Sequence, residues 1–265
     1  MSEETSRNSD FVQSLERGLA VVRVFDAEHR ELGLSEVARA AGLTRAAARR
    51  FLLTLVNLGY MSFSDGRFSL TPRVLELGYA YLSSLTLPEV AQPHMEVLVA
   101  KVNESSSISV LDDTEVVYVA RVPTRRIMSI TLSVGTRLPA YATSMGRVLL
   151  AGLPDEQLQE RLKRIEVAPL TSHTVKDEAA LGKVLASVRR QGYAAVDQEL
   201  EEGLRSLAVP IRNASGDVVA ALNLSAHASR ASMAALRRDF LPPAIEAAAA
   251  IEADLHGVGN RRRGV

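Results

Sequence analysis

The sequence predicts an α+β protein of two domains, and three features of its pattern agree on this. Its 265 residues exceed the usual size of one compact domain. Residues 11–71 contain three short helical patterns and a hairpin signal, whereas residues 88–257 alternate helical with strand-like segments. A helical stretch at 72–87 lies between them. We therefore expect a small N-terminal domain, a linker helix, and a larger domain with a mostly antiparallel sheet.

Composition excludes several classes of protein. Hydrophobic residues make up 47% and charged residues 23% of the chain, which is typical of a globular protein and not of a disordered or fibrous one. There is no Cys, and the five His lack metal-ligand spacing, so we expect no metal and no cofactor. The N-terminus is polar and no apolar run could cross a bilayer, which predicts a cytoplasmic protein without a membrane partner.

The N-terminal segment predicts three helices and a β-hairpin. Ser14 opens the first helix, Ser35 precedes the second, and Thr44 is the expected N-cap of the third. Asp65-Gly66 is the signature of a two-residue hairpin turn. Elements in this order form a winged helix-turn-helix. The expected inner faces are Leu15, Leu19, Val22 and Phe25 in the first helix, Val37, Ala38 and Ala41 in the second, and Ala48, Phe51, Leu52 and Leu55 in the third.

Thr71-Pro72 reads as the start of the linker helix, which we expect to reach Leu85. Its apolar face would be exposed in a monomer, and specific operators are normally read by two-fold symmetric proteins, so we expect a homodimer or a tetramer. That face comprises Val74, Leu75, Leu77, Gly78, Tyr81 and Leu82.

In the larger domain, we expect a helix with Pro93 near its first turns and then strands in SISVLDDTEVVYVARV and IMSITLSV, with a turn at Asp112-Asp113. Helices should follow from Thr143 or Ser144 and from PDEQLQERLKRI. A third should begin at Thr174, with Asp177 three residues later. Strands YAAV, LAVPIR and VVAALNLS and an Ala-rich helix broken at Pro242-Pro243 complete the expected domain.

The third helix carries the candidate DNA-binding site. Charge is balanced over the chain at 31 against 31, yet residues 37–73 hold six arginines and one acidic residue. Outward arginines at the N-terminal half of a recognition helix can read guanine in the major groove, and a helix start suits a phosphate. A solvated helix face is the alternative for a lone helix, and Arg50 could instead pack against the second helix. The predicted DNA contacts are Thr44, Arg45, Ala46, Arg49, Arg50 and, beside the hairpin turn, Arg67.

One stretch, GYAAVDQELEEGLRSLAVPIRN, resembles the IclR-type family of bacterial transcription regulators. Four further segments, LTRAAARRFLLTLVNLGY, TPRVLELGYAYLSSL, YVARVPTRRIMSI and GTRLPAYATSMGRVLLA, are similar to the subgroup that controls aromatic-acid breakdown through the β-ketoadipate pathway. The family pattern is carried by Gly192, Glu199, Gly203, Ser206, Ala208 and Asn213, and the sequence departs from it at Val196 and Arg212.

This resemblance, which covers nearly the whole chain, implies a ligand-responsive regulator. Its expected partners are double-stranded operator DNA, a second copy of the chain, a small aromatic or dicarboxylic acid and, as a candidate, RNA polymerase. It also implies that the larger domain is a GAF/PAS-like α+β effector-binding domain.

The effector site is expected around a helix start in ATSMGRVLLA, where unpaired N–H groups favour a carboxylate. An ordinary N-cap with a close-packed glycine would explain those residues equally well, and Ile130 and Leu138 could equally be core. Arg125, Arg126 and Arg137 are the cations available for a second carboxylate. The site that the helix start and the resemblance together imply is Ile130, Leu138, Ser144, Met145, Gly146, Leu204, Ser206, Asn223 and Ser225.

Two other functions compete with a sensor. A hydrolase could use Ser206 with His227 and Asp197, but no GxSxG surrounds the serine, and phosphate-binding glycine loops are also absent from the sequence, so we expect no enzyme. An architectural DNA-binding protein would bind no ligand, but it would have little use for a second domain of this size.

Overall fold

The computed structural model describes residues 11–26, 28–77, 86–124 and 132–262, with side chains except for Thr86 and residues 257–262. The chain divides into two compact units, with the boundary after Ser84. Gly78, Tyr81 and Leu82 of the expected linker face, Arg125, Arg126 and Ile130 lie outside the described residues.

The first unit is a winged helix-turn-helix, as expected. Leu52, at the centre of its third helix, is fully buried against the sheet and the other helices. Asp65 and Gly66 both have positive φ, as the predicted two-residue turn requires. The elements are α1 Gln13–Arg23, β1 Glu31–Gly33, α2 Leu34–Ala40, α3 Arg45–Asn57, β2 Met61–Ser64 and β3 Arg67–Leu70, with the antiparallel strand order β1-β3-β2.

Two expectations for this unit are wrong. The N-cap of α2 is Gly33 and not Ser35, because the carboxylate of Glu36 reaches back to accept the Gly33 N–H at 2.7 Å. Leu15 and Leu19 are 62% and 50% exposed. Val21 of α1 is buried in the core instead, together with Phe25, which was expected there and follows the helix.

The segment after β3 begins with a 3₁₀ turn, Pro72–Val74. Thr71 precedes it but does not cap it through its side chain, because its hydroxyl donates to the Gly59 carbonyl at 2.6 Å. Leu75 and Leu77 are exposed, as expected for the described part of the linker face.

The second unit contains a six-stranded sheet in which every neighbouring pair is antiparallel, as expected. Helices cover both faces: α4 and α8 on one side, and α5, α6 and α7 on the other. The elements are α4 Thr86–Val102, β4 Ser105–Asp112, β5 Glu115–Val122, β6 Arg137–Pro139, α5 Ser144–Gly152, α6 Asp155–Leu162, α7 Glu178–Gln191, β7 Ala194–Asp197, β8 Leu204–Arg212, β9 Val218–His227 and α8 Leu241–Arg262, and the strand order is β6-β5-β4-β9-β8-β7.

Strand boundaries differ from expectation at two places. Asp112 still pairs with Glu115, so the turn after β4 is Asp113-Thr114, with Asp113 at positive φ. Residues 132–134, the described end of the expected strand IMSITLSV, are not in a strand. The edge strand is β6, which pairs with β5.

Helix signals were also misplaced. Asp177 alone caps α7, by accepting the Ala180 N–H at 2.7 Å, whereas Thr174 is buried and bonded elsewhere. Pro93 lies inside α4. Pro242-Pro243 does not break the last helix: helical backbone runs from Met233 through a π-helical turn, Leu236–Phe240, directly into α8, and the π-helical turn lies just before the two prolines. Among the described helices, none combines the length and hydrophobicity of a membrane span.

Candidate functional site: a recognition helix and an effector cavity

The N-terminal half of α3 presents the predicted DNA contacts to solvent. Thr44 caps the helix by accepting the Ala47 N–H at 3.2 Å. Arg45, Ala46, Arg49 and Arg50 are exposed, while Ala48 and Leu52 face the core. Within the described ranges, none of these three arginines lies within ion-pairing distance of an acidic side chain, so all three are available to nucleic acid.

Arg67 differs, because it already has protein partners. Its Nη1 donates to the Glu31 carbonyl at 2.8 Å and lies 3.8 Å from a carboxylate oxygen of Glu36. These contacts tie β3 to β1 and α2, although half of the side chain remains exposed. Any reach of Arg67 toward DNA therefore competes with these contacts.

A cavity of about 850 Å³ opens in the second unit, on the sheet face covered by α5. Gly146 is not part of its lining, and Ile130 is outside the described residues. The apolar part of the lining includes Leu132, Ala142, Val196 and Leu200. Seven of the predicted effector residues line it: Leu138, Ser144, Met145, Leu204, Ser206, Asn223 and Ser225.

The sheet register builds a polar patch on the cavity wall. Directly opposed residues of antiparallel strands point to the same face, and Ser107 is opposed by Arg121 on one side and Asn223 on the other. The side-chain oxygen Oδ1 of Asn223 accepts the Ser107 N–H at 3.1 Å, and the side-chain Nδ2 of Asn223 donates to Ser225 Oγ at 3.0 Å. Ser225 is itself opposed to Ser206, so the patch crosses four strands.

The start of α5 contributes a second polar feature. Thr143 is the N-cap and accepts the Gly146 N–H at 3.0 Å, so that N–H is already satisfied. The hydroxyl of Ser144 is buried, borders the cavity and has no hydrogen-bond partner among the described residues. A Cβ at Gly146 would lie 2.2 Å from the Ala140 carbonyl oxygen. Gly146 therefore serves close packing, the alternative considered from sequence, whereas Ser144 faces the cavity.

Sequence reasoning missed Arg121 and Tyr118, two lining residues of β5. Burial lowers the pKa of Arg121, whose Nη1 lies 3.4 Å from Ser107 Oγ, and in the described part of the chain no carboxylate pairs with it. Burial also raises the pKa of Tyr118 to about 12, so its hydroxyl stays protonated at neutral pH. The available signal was an arginine within the apolar strand EVVYVARV.

Two other arginines are poorer candidates for binding an effector carboxylate, because one lies outside the cavity and both already pair with acidic side chains. Arg137 lies outside the lining and pairs with Asp112 and Glu115 at 2.7 Å each. Arg230 borders the cavity, but it already pairs with Glu104: its Nε and Nη2 donate to the two carboxylate oxygens of Glu104 at 3.0 Å each.

The imagined Ser206 triad is not assembled in the described residues. His227 Nδ1 contacts Ser229 Oγ at 2.7 Å. Asp197 binds Arg205 at 2.6 Å, and that contact lowers the pKa of its carboxyl.

Comparison with known families settles the class. The IclR helix-turn-helix domain matches residues 14–63, and the IclR C-terminal domain of bacterial transcriptional regulators matches residues 79–253. The chain belongs to the IclR family. The IclR match thus takes in both the exposed recognition helix and the sheet that lines the cavity.

Three similar proteins illustrate the relationship. The Pca regulon regulatory protein of Pseudomonas putida is 47% identical over 235 residues, which cover 88% of this chain and 80% of the relative. A transcriptional regulator from Rhodococcus sp. RHA1 has a solved structure with 57% identity, a TM-score of 0.84 and coverage of 92% and 98%. An IclR homolog from Microbacterium hydrocarbonoxydans, solved with 4-hydroxybenzoate, is 32% identical, with a TM-score of 0.81 and coverage of 91% and 98%.

Proposed function

We propose that this IclR-family regulator controls genes of aromatic-acid breakdown and senses a small aromatic acid in the cavity of its second unit. The observation that carries the proposal is Arg121, a half-buried guanidinium on the cavity wall with no described carboxylate partner. A charge withdrawn from water is stabilised when it binds an anion. The names of two relatives, a Pca regulator and a 4-hydroxybenzoate complex, support the same class of ligand.

In this proposal the carboxylate binds Arg121, and the ring packs on Leu138 and Leu204. A hydroxyl or a second carboxylate reaches the start of α5, where no group in the described ranges bonds to the Ser144 hydroxyl. Ser206, Asn223 and Ser225 supply further hydrogen bonds from the sheet. An apolar wall with a few fixed polar groups is the usual design of a small-ligand site. The anchor differs from the helix start favoured by the sequence, because Thr143 already uses the Gly146 N–H.

The DNA-binding half of the proposal places α3 in the major groove of an operator, with two copies of the chain reading two half-sites. Effector binding then acts by favouring one of the states that differ in affinity for DNA. No chemical step is required of the cavity, so the protein acts by binding and not as an enzyme.

Calorimetry on the full chain with 4-hydroxybenzoate and protocatechuate tests this function. We expect Arg121→Gln to weaken binding by about 1.5 to 3 kcal/mol, the typical contribution of a hydrogen bond to a charged group. Arg137→Gln is the matched control, because it removes an arginine of the same sheet that lies outside the cavity. Ser144→Ala should weaken binding less, by the loss of one neutral hydrogen bond.

The outcomes separate the alternatives. A parent protein that binds operator but neither acid would support the architectural reading. Equal losses in Arg121→Gln and Arg137→Gln would show that the guanidinium of Arg121 is not the anchor. A larger loss in Ser144→Ala than in Arg121→Gln would return the carboxylate to the start of α5.

A further inference from the structure

A buried ion pair joins two walls of the cavity without lining it. Arg147 lies on α5, and its side chain is only 3% exposed. Its Nη1 and Nη2 donate to the two carboxylate oxygens of Glu199 at 2.7 and 2.6 Å, and its Nε donates to the Tyr141 carbonyl at 2.9 Å. A bidentate arginine–carboxylate pair fixes orientation as well as distance.

Glu199 is also held from a third direction. Its carboxylate accepts the Val175 N–H at 2.8 Å, and its carbonyl accepts the Thr174 hydroxyl at 2.7 Å. The Thr171 hydroxyl donates to the neighbouring Gln198 carbonyl at 2.7 Å. The backbone at Gln198 and Glu199 is therefore fixed both to α5 and to the segment that precedes α7.

Arg147 and Glu199 each lie next to a group of residues that line the cavity. Residues 200–204, immediately after Glu199, form one side of the cavity. Ser144 and Met145, three and two residues before Arg147, form another. The ion pair thus connects two groups of lining residues that lie far apart in sequence.

We propose that Arg147 and Glu199 are positioning residues for the effector, and that their pairing holds segment 200–204 at the distance from α5 that the ligand requires. This rests on the proposed function, because it assumes that the cavity binds the effector. Replacing a buried ion pair by neutral residues of similar size often leaves stability unchanged or improved. Stability alone therefore does not explain this ion pair. Its position behind two walls of the cavity does explain it.

The test uses the double variant Arg147→Met/Glu199→Gln, which removes both charges together and leaves an amide oxygen for the Val175 N–H. Losing the residues that orient ligand-binding groups weakens metal sites by about 10- to 100-fold, and we expect a loss of at least about tenfold for 4-hydroxybenzoate here. Hydrogen exchange in the ligand-free full chain should quicken in residues 198–204. The thermal midpoint and operator affinity should stay near those of the parent.

The matched control is Arg189→Met/Asp155→Asn, which removes an ion pair near the other end of α5, where Arg189 also binds the Ala151 carbonyl. It should bind 4-hydroxybenzoate as the parent does. If Arg147→Met/Glu199→Gln also keeps the parent affinity, the pair does not position the site and this inference fails alone. If the double variant does not fold, Arg147→Lys decides, since a single ammonium cannot reproduce the bidentate contact: unchanged affinity in that variant overturns the inference. If the parent binds no aromatic acid, the proposed function fails first.

Discussion

The six arginines of residues 37–73 differ in what the fold leaves them able to contact. Arg45 and Arg49 extend from α3 without an acidic partner among the described side chains. Arg67 binds Glu31 and Glu36, and Arg73 donates to the Leu58 carbonyl and approaches Glu76. A count of charges in the sequence does not distinguish these arginines, whereas in the structure some of them already bind other groups of the protein.

Alanine variants of α3 should separate base reading from phosphate binding. Arg45→Ala or Arg49→Ala should cost about 1 to 3 kcal/mol on the cognate operator and relax preference at one base position, since a bidentate arginine–guanine contact carries that discrimination. Arg67→Ala should weaken binding to all sequences alike. Fluorescence anisotropy with single-base operator variants at several salt concentrations measures both effects. Unchanged affinity and preference in Arg45→Ala and Arg49→Ala together would show that another element reads the DNA.

Local signals in the sequence predicted most helices and strands but not the tertiary contacts that these elements make. The Asp65-Gly66 turn, the Thr44 cap and the order of β7, β8 and β9 follow from short-range chemistry and agree with the structure. The helix caps expected at Ser35 and Thr174 are wrong, because hydrogen bonds with neighbouring or distant groups form in their place. Thr174 bonds to the carbonyl of Glu199, a contact across 25 residues that no local pattern contains.

The residues of the cavity could be predicted from the sequence only in part, for the same reason. Serine and asparagine on β8 and β9 were assigned through family resemblance, and the register brings them together with Ser107 and Arg121 of other strands. On β4 no local motif marks Ser107, and on β5 an arginine within an apolar strand indicates a site without specifying its partners. Their role becomes visible only when cross-strand neighbours are known, because a strand of alternating side chains does not specify its partners.

Two glycine substitutions test the close approach at the start of α5. In Gly146→Ala the new methyl group would collide with backbone atoms of Ala140, so we expect a loss of about 1 to 3 kcal/mol in unfolding free energy. Gly182→Ala is the matched control, since it lies in helix α7 and no neighbouring atom of the described chain comes within 4 Å of the added Cβ. It should stabilise the protein by about 0.5 to 1 kcal/mol. Urea unfolding of both variants gives the comparison, and equal stability would contradict the packing role of Gly146.

At the scale of the whole molecule, apolar residues remain at the surface of the first unit. Leu15 and Leu19 are four residues apart on α1, so they share one face, and Phe11 precedes them by the same spacing. Leu75 and Leu77 are also exposed, at 71% and 55%. The sequence assigned Leu15 and Leu19 to the core because periodicity shows that a helix has an apolar face but not what covers it.

We expect a second copy of the chain to cover these residues. Exposed apolar side chains favour association, and two-fold symmetric binding to an operator requires two recognition helices. Leu15→Glu/Leu19→Glu should convert a dimer into monomers in sedimentation velocity at micromolar concentration, because four carboxylates would meet in the contact. It should also weaken binding to a two-half-site operator more than to a single half-site.

Leu170→Glu is the control for this variant, because it places a new charge at an exposed leucine of the second unit. It should sediment as the parent does. A parent that is monomeric with and without operator DNA would contradict the dimer itself. A dimer that persists in Leu15→Glu/Leu19→Glu would instead move the contact away from α1 and leave Leu75 and Leu77 as the residues to test next, since they are exposed leucines of the described part of the expected linker face.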